Sequence, residues 1–230
     1  MKIGIIVAMD KEMNLLLPLL KEPTETTING TVFHTGKIGR HDIIALKSGI
    51  GKVNAAMSTL TLIDSFTPPL IINTGVAGGT GGAADVLDIV VGEKVAYHDV
   101  WCGPGTQWGD AAGCPRFFRA PQWLTSLPVL QHSETIKHGL ICSGDIFVST
   151  PEEVERIRGL YPDVLAIDME SAAIAQVCHL KDVPFMSIRV ISDTPGAENN
   201  IEQYENFWED APRSTFALLR TLLAEIDERP

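Results

Sequence analysis

Acidic side chains stand directly after three apolar segments of this chain. Glu12 closely follows the first segment. Asp168 and Glu170 follow V-L-A-I, and Asp193 follows I-R-V-I-S. Carboxyl groups can transfer protons and can stabilise a cationic transition state. Glycosidic cleavage needs both, so this pattern is compatible with a glycosidase-type reaction.

Each acid also has an ordinary structural explanation. Glu12 could be a first-turn helix residue, Asp193 a helix or turn cap, and Asp168 a surface charge. Acids at the ends of three separate segments favour one functional site over three unrelated explanations.

The segments before these acids are predicted strands. Because the C-terminal ends of parallel strands lie at one edge of a sheet, we expect the acids to converge on one crevice. Asn73 after P-L-I-I is a further polar residue at such an end. Apolar and β-branched runs predict strands at 3–8, 42–47, 69–74, 88–97, 139–143, 164–167 and 185–192, with a hairpin around Asn29–Gly30.

Helical periodicity predicts helices between these strands. Asp10 is the expected N-cap of the first helix and Thr150 that of the third. This alternation predicts an α/β fold, a single domain over 1–230 with three α/β/α layers and a mixed, largely parallel sheet. The predicted helices span 10–20, 53–65, 151–159, 171–181 and 205–227, and 100–116 is an irregular loop.

The composition excludes several classes of function. A hydrophobic content of 45% and 20% charged residues are typical of a folded core. The net charge of −11, without a basic cluster, argues against nucleic acid as a partner. No apolar stretch approaches the roughly 18–20 residues that span a membrane. Four irregularly spaced cysteines predict free thiols, a cytoplasmic location and no metal site.

Cofactor and nucleophile motifs are missing or incomplete. G-T-G-G-A-A at 79–84 fits a loose dinucleotide fingerprint, but the stretch before the next strand is too short for the required helix. There is no P-loop and no G-x-S-x-G, and the histidines lack ligand spacing. We therefore expect no cofactor and no metal.

Six segments taken together resemble one family. Their order and spacing are similar to those of the 5′-methylthioadenosine/S-adenosylhomocysteine nucleosidases, within the nucleoside phosphorylase superfamily. The resemblance reaches from residue 1 to about 195. The segments are M-K-I-G-I-I-V-A-M-D-K-E-M at 1–13, S-G-I-G-K-V at 48–53, I-N-T-G-V-A-G-G at 72–79, S-G-D-I-F at 143–147, A-I-D-M-E-S-A-A-I-A-Q-V-C at 166–178 and R-V-I-S-D at 189–193.

The resemblance implies hydrolysis of an N-glycosidic bond that releases adenine from a 5′-thio-substituted ribose. Asp193 would be the general acid that protonates adenine N7, and Glu12 would orient and deprotonate the attacking water. Asp193 must be protonated to act, so we expect its site to raise its pKa.

The resemblance also implies how a small-molecule nucleoside is held. Glu170 would bind the ribose hydroxyls, Met169 would pack on the sugar, and Phe147 would stack on adenine. Arg189 would support the carboxylates. The family implies a homodimer in which a loop of one subunit closes the neighbouring pocket. The remaining expected contacts are Met9, Ile50, Val76, Gly78, Val148, Ser192 and Tyr204.

Three departures from the family pattern leave the substrate open. Val76 stands where many members have serine, Tyr204 where phenylalanine is usual, and the segment 99–115 differs in sequence and length. Methylthioadenosine, adenosylhomocysteine, deoxyadenosine and aminodeoxyfutalosine all stay candidates. The alternative functions are a purine nucleoside phosphorylase of the same fold and a non-catalytic nucleoside-binding module.

The pair of acids in V-L-A-I-D-M-E-S carries one further expectation. In an extended strand Asp168 and Glu170 would point to one side and Met169 to the other. Met169 and Glu170 can both contact a ligand only if the strand has already ended. We therefore expect a turn there, with Glu170 at the ligand and Asp168 in a supporting role.

Overall fold

The computed structural model describes residues 1–197, 199–210 and 212–226. One ten-stranded sheet runs through it, in the order β10-β6-β8-β9-β5-β1-β4-β3-β2, with β7 beside β6 and a further pairing of β10 with β5. The strands are β1 (Lys2–Val7), β2 (Lys21–Ile28), β3 (Thr31–Ile38), β4 (His41–Lys47), β5 (Ile71–Gly79), β6 (Ile89–Tyr97), β7 (Phe118–Arg119), β8 (Ile136–Ser143), β9 (Val164–Asp168) and β10 (Phe185–Asp193).

The sheet is mixed, as predicted. β1 pairs in parallel with β4 and β5, β10 with β5, and β8 with β6 and β9. The hairpin of β2 and β3, the β3–β4 pair and the β6–β10 pair are antiparallel. A short antiparallel pairing of Gly78 and Gly79 in β5 with Ile167 and Ala166 in β9 closes five strands into a ring. The sequence did not predict this closure.

Helices cover both faces of the sheet. Alternation along β1 shows why: Ile3 and Ile5 belong to one buried cluster, and Ile6 to another on the opposite face. Leu16 and Leu219 pack in the first cluster. The helices are α1 (Asp10–Leu16), α2 (Lys52–Phe66), α3 (Gln122–Thr125), α4 (Pro151–Leu160), α5 (Ser171–Leu180), α6 (Asn200–Asp210) and α7 (Pro212–Glu225), with 3-10 turns at Leu17–Leu19 and Pro128–Leu130.

The predictions for the hairpin and for one helix cap are confirmed, and the prediction for the other cap is wrong. Thr150 caps α4 as predicted, because its hydroxyl accepts from the Glu153 amide. Asp10 as the N-cap of α1 is wrong. Met9 occupies that position, and Asp10 lies at the surface against Lys47 at 2.7 Å. The hairpin around Asn29 is confirmed.

The C-terminal helical region predicted over 205–227 begins earlier in the structure, at Asn200. Helix is described over Asn200–Asp210 (α6) and Pro212–Glu225 (α7), and residue 211 between them lies outside the described residues. Residue 227 lies outside the described residues. In the described ranges, every helix is too short or too polar to cross a bilayer.

Candidate active site

A cavity of about 620 Å³, including its open mouth, lies at the C-terminal ends of β1, β5, β9 and β10. The predicted convergence of the strand-end acids is therefore confirmed, but the parallel arrangement expected to cause it holds for β1, β5 and β10 and not for β9, which is antiparallel to β5. The cavity also takes in Asp168 and several apolar residues that were not predicted as contacts. All the predicted site residues line it: Met9, Glu12, Ile50, Val76, Gly78, Phe147, Val148, Met169, Glu170, Arg189, Ser192, Asp193 and Tyr204.

Glu12 is held by backbone amides at the start of α1. Its Oε2 accepts from the Ala8 and Met9 amides at 2.7 and 2.9 Å, and its Oε1 accepts from the Val76 amide at 3.0 Å. The side chain is 1% exposed. Burial raises the pKa of Glu12, while Arg189 and the three amides oppose that rise by favouring the anion.

Gly75 leaves room for this arrangement. A Cβ there would collide with Glu12 Oε1 and would lie 2.7 Å from Arg189 Nη1. The backbone of β5 can therefore pass beneath the Glu12 and Arg189 side chains only where no side chain projects from it.

Asp193 ends β10 and has neutral partners. Its Oδ1 accepts from the Ser192 hydroxyl at 2.5 Å, and its Oδ2 accepts a short hydrogen bond from the Asn200 side-chain amide. The pairing of β10 with β5 shifts register between Ile191 and Asp193. Such an irregularity breaks strict alternation, so that Ser192 and Asp193 both reach the cavity. Burial raises the pKa of Asp193, as predicted, although both hydrogen bonds lower it.

The strand β9 ends at Asp168, and Glu170 is the N-cap of α5. The expected turn is therefore confirmed, and Met169 and Glu170 both line the cavity. Glu170 Oε1 accepts from the Gly51 amide at 2.9 Å. Burial raises the pKa of Glu170 to about 7, with Arg189 opposing the shift and Asp168 adding to it.

Arg189 is the cation that these acids share. Its Nη2 lies 2.7 Å from Asp168 Oδ2 and 3.6 Å from Glu170 Oε2, and it donates to Asn73 Oδ1 at 2.7 Å. Burial alone would lower the pKa of Arg189, but Asp168, Glu170 and Glu12 outweigh it and the pKa is raised. We call Arg189 and these three acids the Arg189 cluster.

Asp168 is bound mainly within the protein. In addition to the ion pair with Arg189, its carboxylate accepts short hydrogen bonds from the Ser143 and Ser171 hydroxyls. These contacts agree with the supporting position that the sequence assigned to it.

Aromatic and apolar side chains form the mouth of the cavity. Phe147 and Tyr204 meet edge to face with ring centroids 5.8 Å apart, and the Tyr204 hydroxyl lies 3.3 Å from Met9 Sδ. Phe147 and Ile50 are about half exposed, at 48% and 51%. An aromatic mouth of this kind suits a flat heterocycle.

Asn200 is the principal site residue that sequence reasoning missed. It is buried, and its side chain reaches Asp193 from the first turn of α6. The sequence predicted that helix to begin at 205, so Asn200 carried no positional signal. As for metals, no cluster of three or more potential ligand side chains occurs among the residues with described coordinates.

Comparisons with known proteins agree with this geometry. The model of the Phosphorylase superfamily matches residues 2–224. A 5′-methylthioadenosine/S-adenosylhomocysteine nucleosidase of Geobacillus sp. is 40% identical over 99% of this chain and 100% of its own length.

Solved structures give the same result. The S-adenosylhomocysteine nucleosidase of Streptococcus pyogenes, in complex with 5-methylthiotubericidin, superposes with a TM-score of 0.94 at 35% identity, covering 99% of this chain and 98% of the other. The futalosine hydrolase of Helicobacter pylori superposes with a TM-score of 0.90 at 29% identity, covering 98% of both chains. The predicted family is confirmed: this chain belongs to the 5′-methylthioadenosine/S-adenosylhomocysteine nucleosidases of the phosphorylase superfamily.

Proposed function

We propose that this chain hydrolyses the N-glycosidic bond of 5′-methylthioadenosine and S-adenosylhomocysteine, releasing adenine and the 5′-thioribose. The observation that carries the proposal is that one cavity holds two buried carboxyl groups with different partners. Asp193 accepts from neutral donors, whereas Glu12 accepts from three amides and faces Arg189. Such differences separate an acid from a base in one site.

In the proposed reaction Asp193 donates its proton to adenine N7. The bond from the ribose anomeric carbon to N9 then breaks, and its electron pair leaves with the neutral adenine. Water attacks the anomeric carbon, and Glu12 takes the proton that this water loses. A positioned general acid or base is typically worth about 10²–10⁴ in rate.

The other cavity residues bind the nucleoside in this proposal. Glu170 accepts hydrogen bonds from the ribose hydroxyls, and Met169 packs on the sugar. Phe147 stacks on adenine, and Tyr204 closes the mouth beside it. Negative charge at Glu12 also stabilises the oxocarbenium-like sugar of the transition state.

Two alternatives are less well supported. A phosphorylase must bind phosphate, but in the described part of the chain Arg189 is the one basic residue lining the cavity, and it already faces three acids. A non-catalytic binding module would not need both Glu12 and Asp193 in the cavity.

The test is adenine release from 5′-methylthioadenosine by the purified protein, with and without phosphate. We expect phosphate-independent release and free 5-methylthioribose. Release that requires phosphate and yields a ribose phosphate would overturn the hydrolase assignment. Assays of adenosylhomocysteine, deoxyadenosine and aminodeoxyfutalosine would rank the substrates, the last because of the similarity to a futalosine hydrolase.

We also propose a homodimer. An exposed apolar face on α2 includes Val53 and Met57, which are 68% and 65% exposed. It continues past Ile50 to the open cavity mouth, so a second copy would cover both. Trp101 and Trp108 stack in the divergent segment with centroids 5.9 Å apart, and this segment is the proposed closing loop.

Dimerisation is tested by light scattering during size-exclusion chromatography. Met57→Glu should convert the dimer to a monomer, whereas Leu87→Glu, at another exposed apolar position, should not. A monomeric wild-type protein would overturn the proposal.

We propose further that residues 1–230 form a single domain, because one sheet includes strands from Lys2 through to Asp193. Free cysteines at 102, 114, 142 and 178 support a cytoplasmic location.

A further inference from the structure

A charged cluster lies beside the cavity, and none of its three members is among the residues that line it. It consists of Lys52, Asp99 and Asp145, and we call it the Lys52 cluster. Lys52 Nζ lies 2.8 Å from Asp99 Oδ2 and 3.8 Å from Asp145 Oδ2. The Asp145 amide donates to the same Asp99 oxygen at 2.9 Å. One carboxylate thus joins the first residue of α2 to the segment after β8.

The backbone of this cluster leads directly to two predicted ligand contacts. The Lys52 amide donates to Asp145 Oδ1 at 2.7 Å, and the preceding amide, of Gly51, donates to Glu170 Oε1 at 2.9 Å. Asp145 stands two residues before Phe147. The cluster therefore anchors the chain next to the contacts that are proposed to hold the ribose and the adenine.

The fit at Gly51 is tight. Gly51 has φ +94°, and a Cβ there would lie 3.1 Å from Asp145 Oδ1. The conformation suits glycine, and the close approach of Asp145 fixes the direction of the Gly51 amide. A shift of Asp145 would therefore move the amide away from Glu170.

We propose that the Lys52 cluster is a positioning device for nucleoside binding, which holds the Gly51 amide on Glu170 and the Phe147 segment at the cavity mouth. This inference rests on the proposed nucleosidase function. Asp99 is also the first residue of the divergent segment 99–115. Sequence changes in that segment can therefore alter the substrate contacts by moving Asp99.

The cluster should affect substrate binding more than the chemical step. Glu12 is held by the Ala8, Met9 and Val76 amides, and Asp193 by Ser192 and Asn200. The Lys52 cluster touches neither set. Loss of interactions made equally to substrate and transition state raises KM and leaves kcat unchanged.

The experiment compares Lys52→Met with Lys52→Arg, using 5′-methylthioadenosine as substrate. We expect Lys52→Met to raise KM about tenfold, as for loss of a charged hydrogen bond, with kcat within about threefold of wild type. Lys52→Arg keeps the charge and should bring KM back to within about threefold of wild type. Lys181→Met, which breaks an ion pair to Asp64 of 2.8 Å elsewhere on α2, is the matched control and should leave KM unchanged.

Asp145→Ala provides a second variant if Lys52→Met fails to fold, and it should raise KM similarly. Wild-type protein that releases no adenine would defeat the proposed function and this inference with it. If the wild type is active but KM changes by less than about twofold in Lys52→Met and Asp145→Ala, the inference alone is wrong. It is also wrong if Lys181→Met changes KM as much as these two variants do.

Discussion

Asp193 and the Arg189 cluster are two buried acidic regions of the same cavity. The groups that oppose the effect of burial on the carboxyl pKa differ between the two regions. Burial raises the pKa of Asp193, and only the hydrogen bonds from Ser192 and Asn200 oppose this rise. In the Arg189 cluster, three acids share one guanidinium. Neutral donors leave a carboxyl free to hold a proton, whereas Arg189 favours the ionised form and opposes the rise that burial causes in the pKa of Glu12 and of Glu170.

Because of this difference, one cavity can supply both an acid and a carboxylate anion. Protonation of a leaving base requires a carboxyl group that keeps its proton near neutral pH. Stabilisation of a cationic sugar requires a carboxyl group that has lost its proton. The proposed nucleosidase places the protonated carboxyl group of Asp193 beside adenine and the ionised Glu12 beside the ribose.

Asp193→Asn should have the largest effect. It removes the proton that is donated to adenine while keeping the side-chain shape, so kcat/KM should fall by about 10³ or more. Adenine release measures the loss, and thermal unfolding should show an intact fold. Asp10→Asn is the control at the surface. Activity near wild type in Asp193→Asn would refute the acid assignment.

Arg189→Met should destabilise the protein by about 3 kcal/mol, because it leaves buried acids without their cation. Urea denaturation at neutral pH measures this change. Lys94→Met breaks the more exposed ion pair to Asp163 and should cost less than about 1 kcal/mol. Equal losses in the two variants would show that Arg189 does not hold the cluster together.

Glu170→Gln should change how stability depends on pH. The folded-state pKa of Glu170 is about 7, against an ordinary value of 4.5. Between these values the folded state keeps a proton that the unfolded state releases, so the free energy of unfolding of the wild type falls as pH rises. Glutamine cannot titrate, and from pH 4.5 to about 7 the variant should gain on the order of 2 kcal/mol relative to wild type.

Glu153→Gln is the control with the opposite sign. Backbone hydrogen bonds at Ser149 and Thr150 lower the pKa of Glu153, so its stabilisation is present above the ordinary value and is lost as pH falls. The variant should therefore be less stable than wild type at neutral pH and approach it in acid. A Glu170→Gln variant with the same trend would contradict the raised pKa.

Asn200→Ala should have the smallest effect, a fall in kcat of about tenfold, because Asp193 loses one orienting hydrogen bond. That bond lowers the pKa of Asp193, so its loss should also move the alkaline limb of the kcat profile to higher pH. Asn199→Ala, which removes an exposed contact to Gln203, should change neither quantity. An unshifted profile in Asn200→Ala would argue against this role for Asn200.

The sequence predicted the strand-end acids because each apolar run ends sharply at a polar residue. The placement of Glu12 and Asp193 at one cavity follows from β1 and β10, which both run parallel to β5. Glu170 follows β9, which is antiparallel to β5, and it is brought there by the pairing of Ile167 with Gly78. The turn after Asp168 could also be deduced, since alternation would otherwise separate Met169 from Glu170.

Features set by distant contacts could not be predicted. Asn200 reaches Asp193 only because α6 begins earlier than the periodicity indicates. The Lys52 amide and Asp145 are 93 residues apart and show no pattern that pairs them. The ring closure at Gly78 and Gly79 similarly depends on a two-residue pairing, which is too short to leave a periodic signal.

The protonation state of Asp193 is tested most directly by the infrared difference spectrum between wild type and Asp193→Asn, without substrate. It should be recorded about one pH unit above 3.8, the ordinary pKa of an aspartic acid. The Arg189 cluster is present in both proteins and cancels. We predict that the wild type shows a protonated carboxyl band that the variant lacks. If the variant instead lacks a carboxylate band that the wild type shows, Asp193 is ionised and cannot be the acid that protonates adenine.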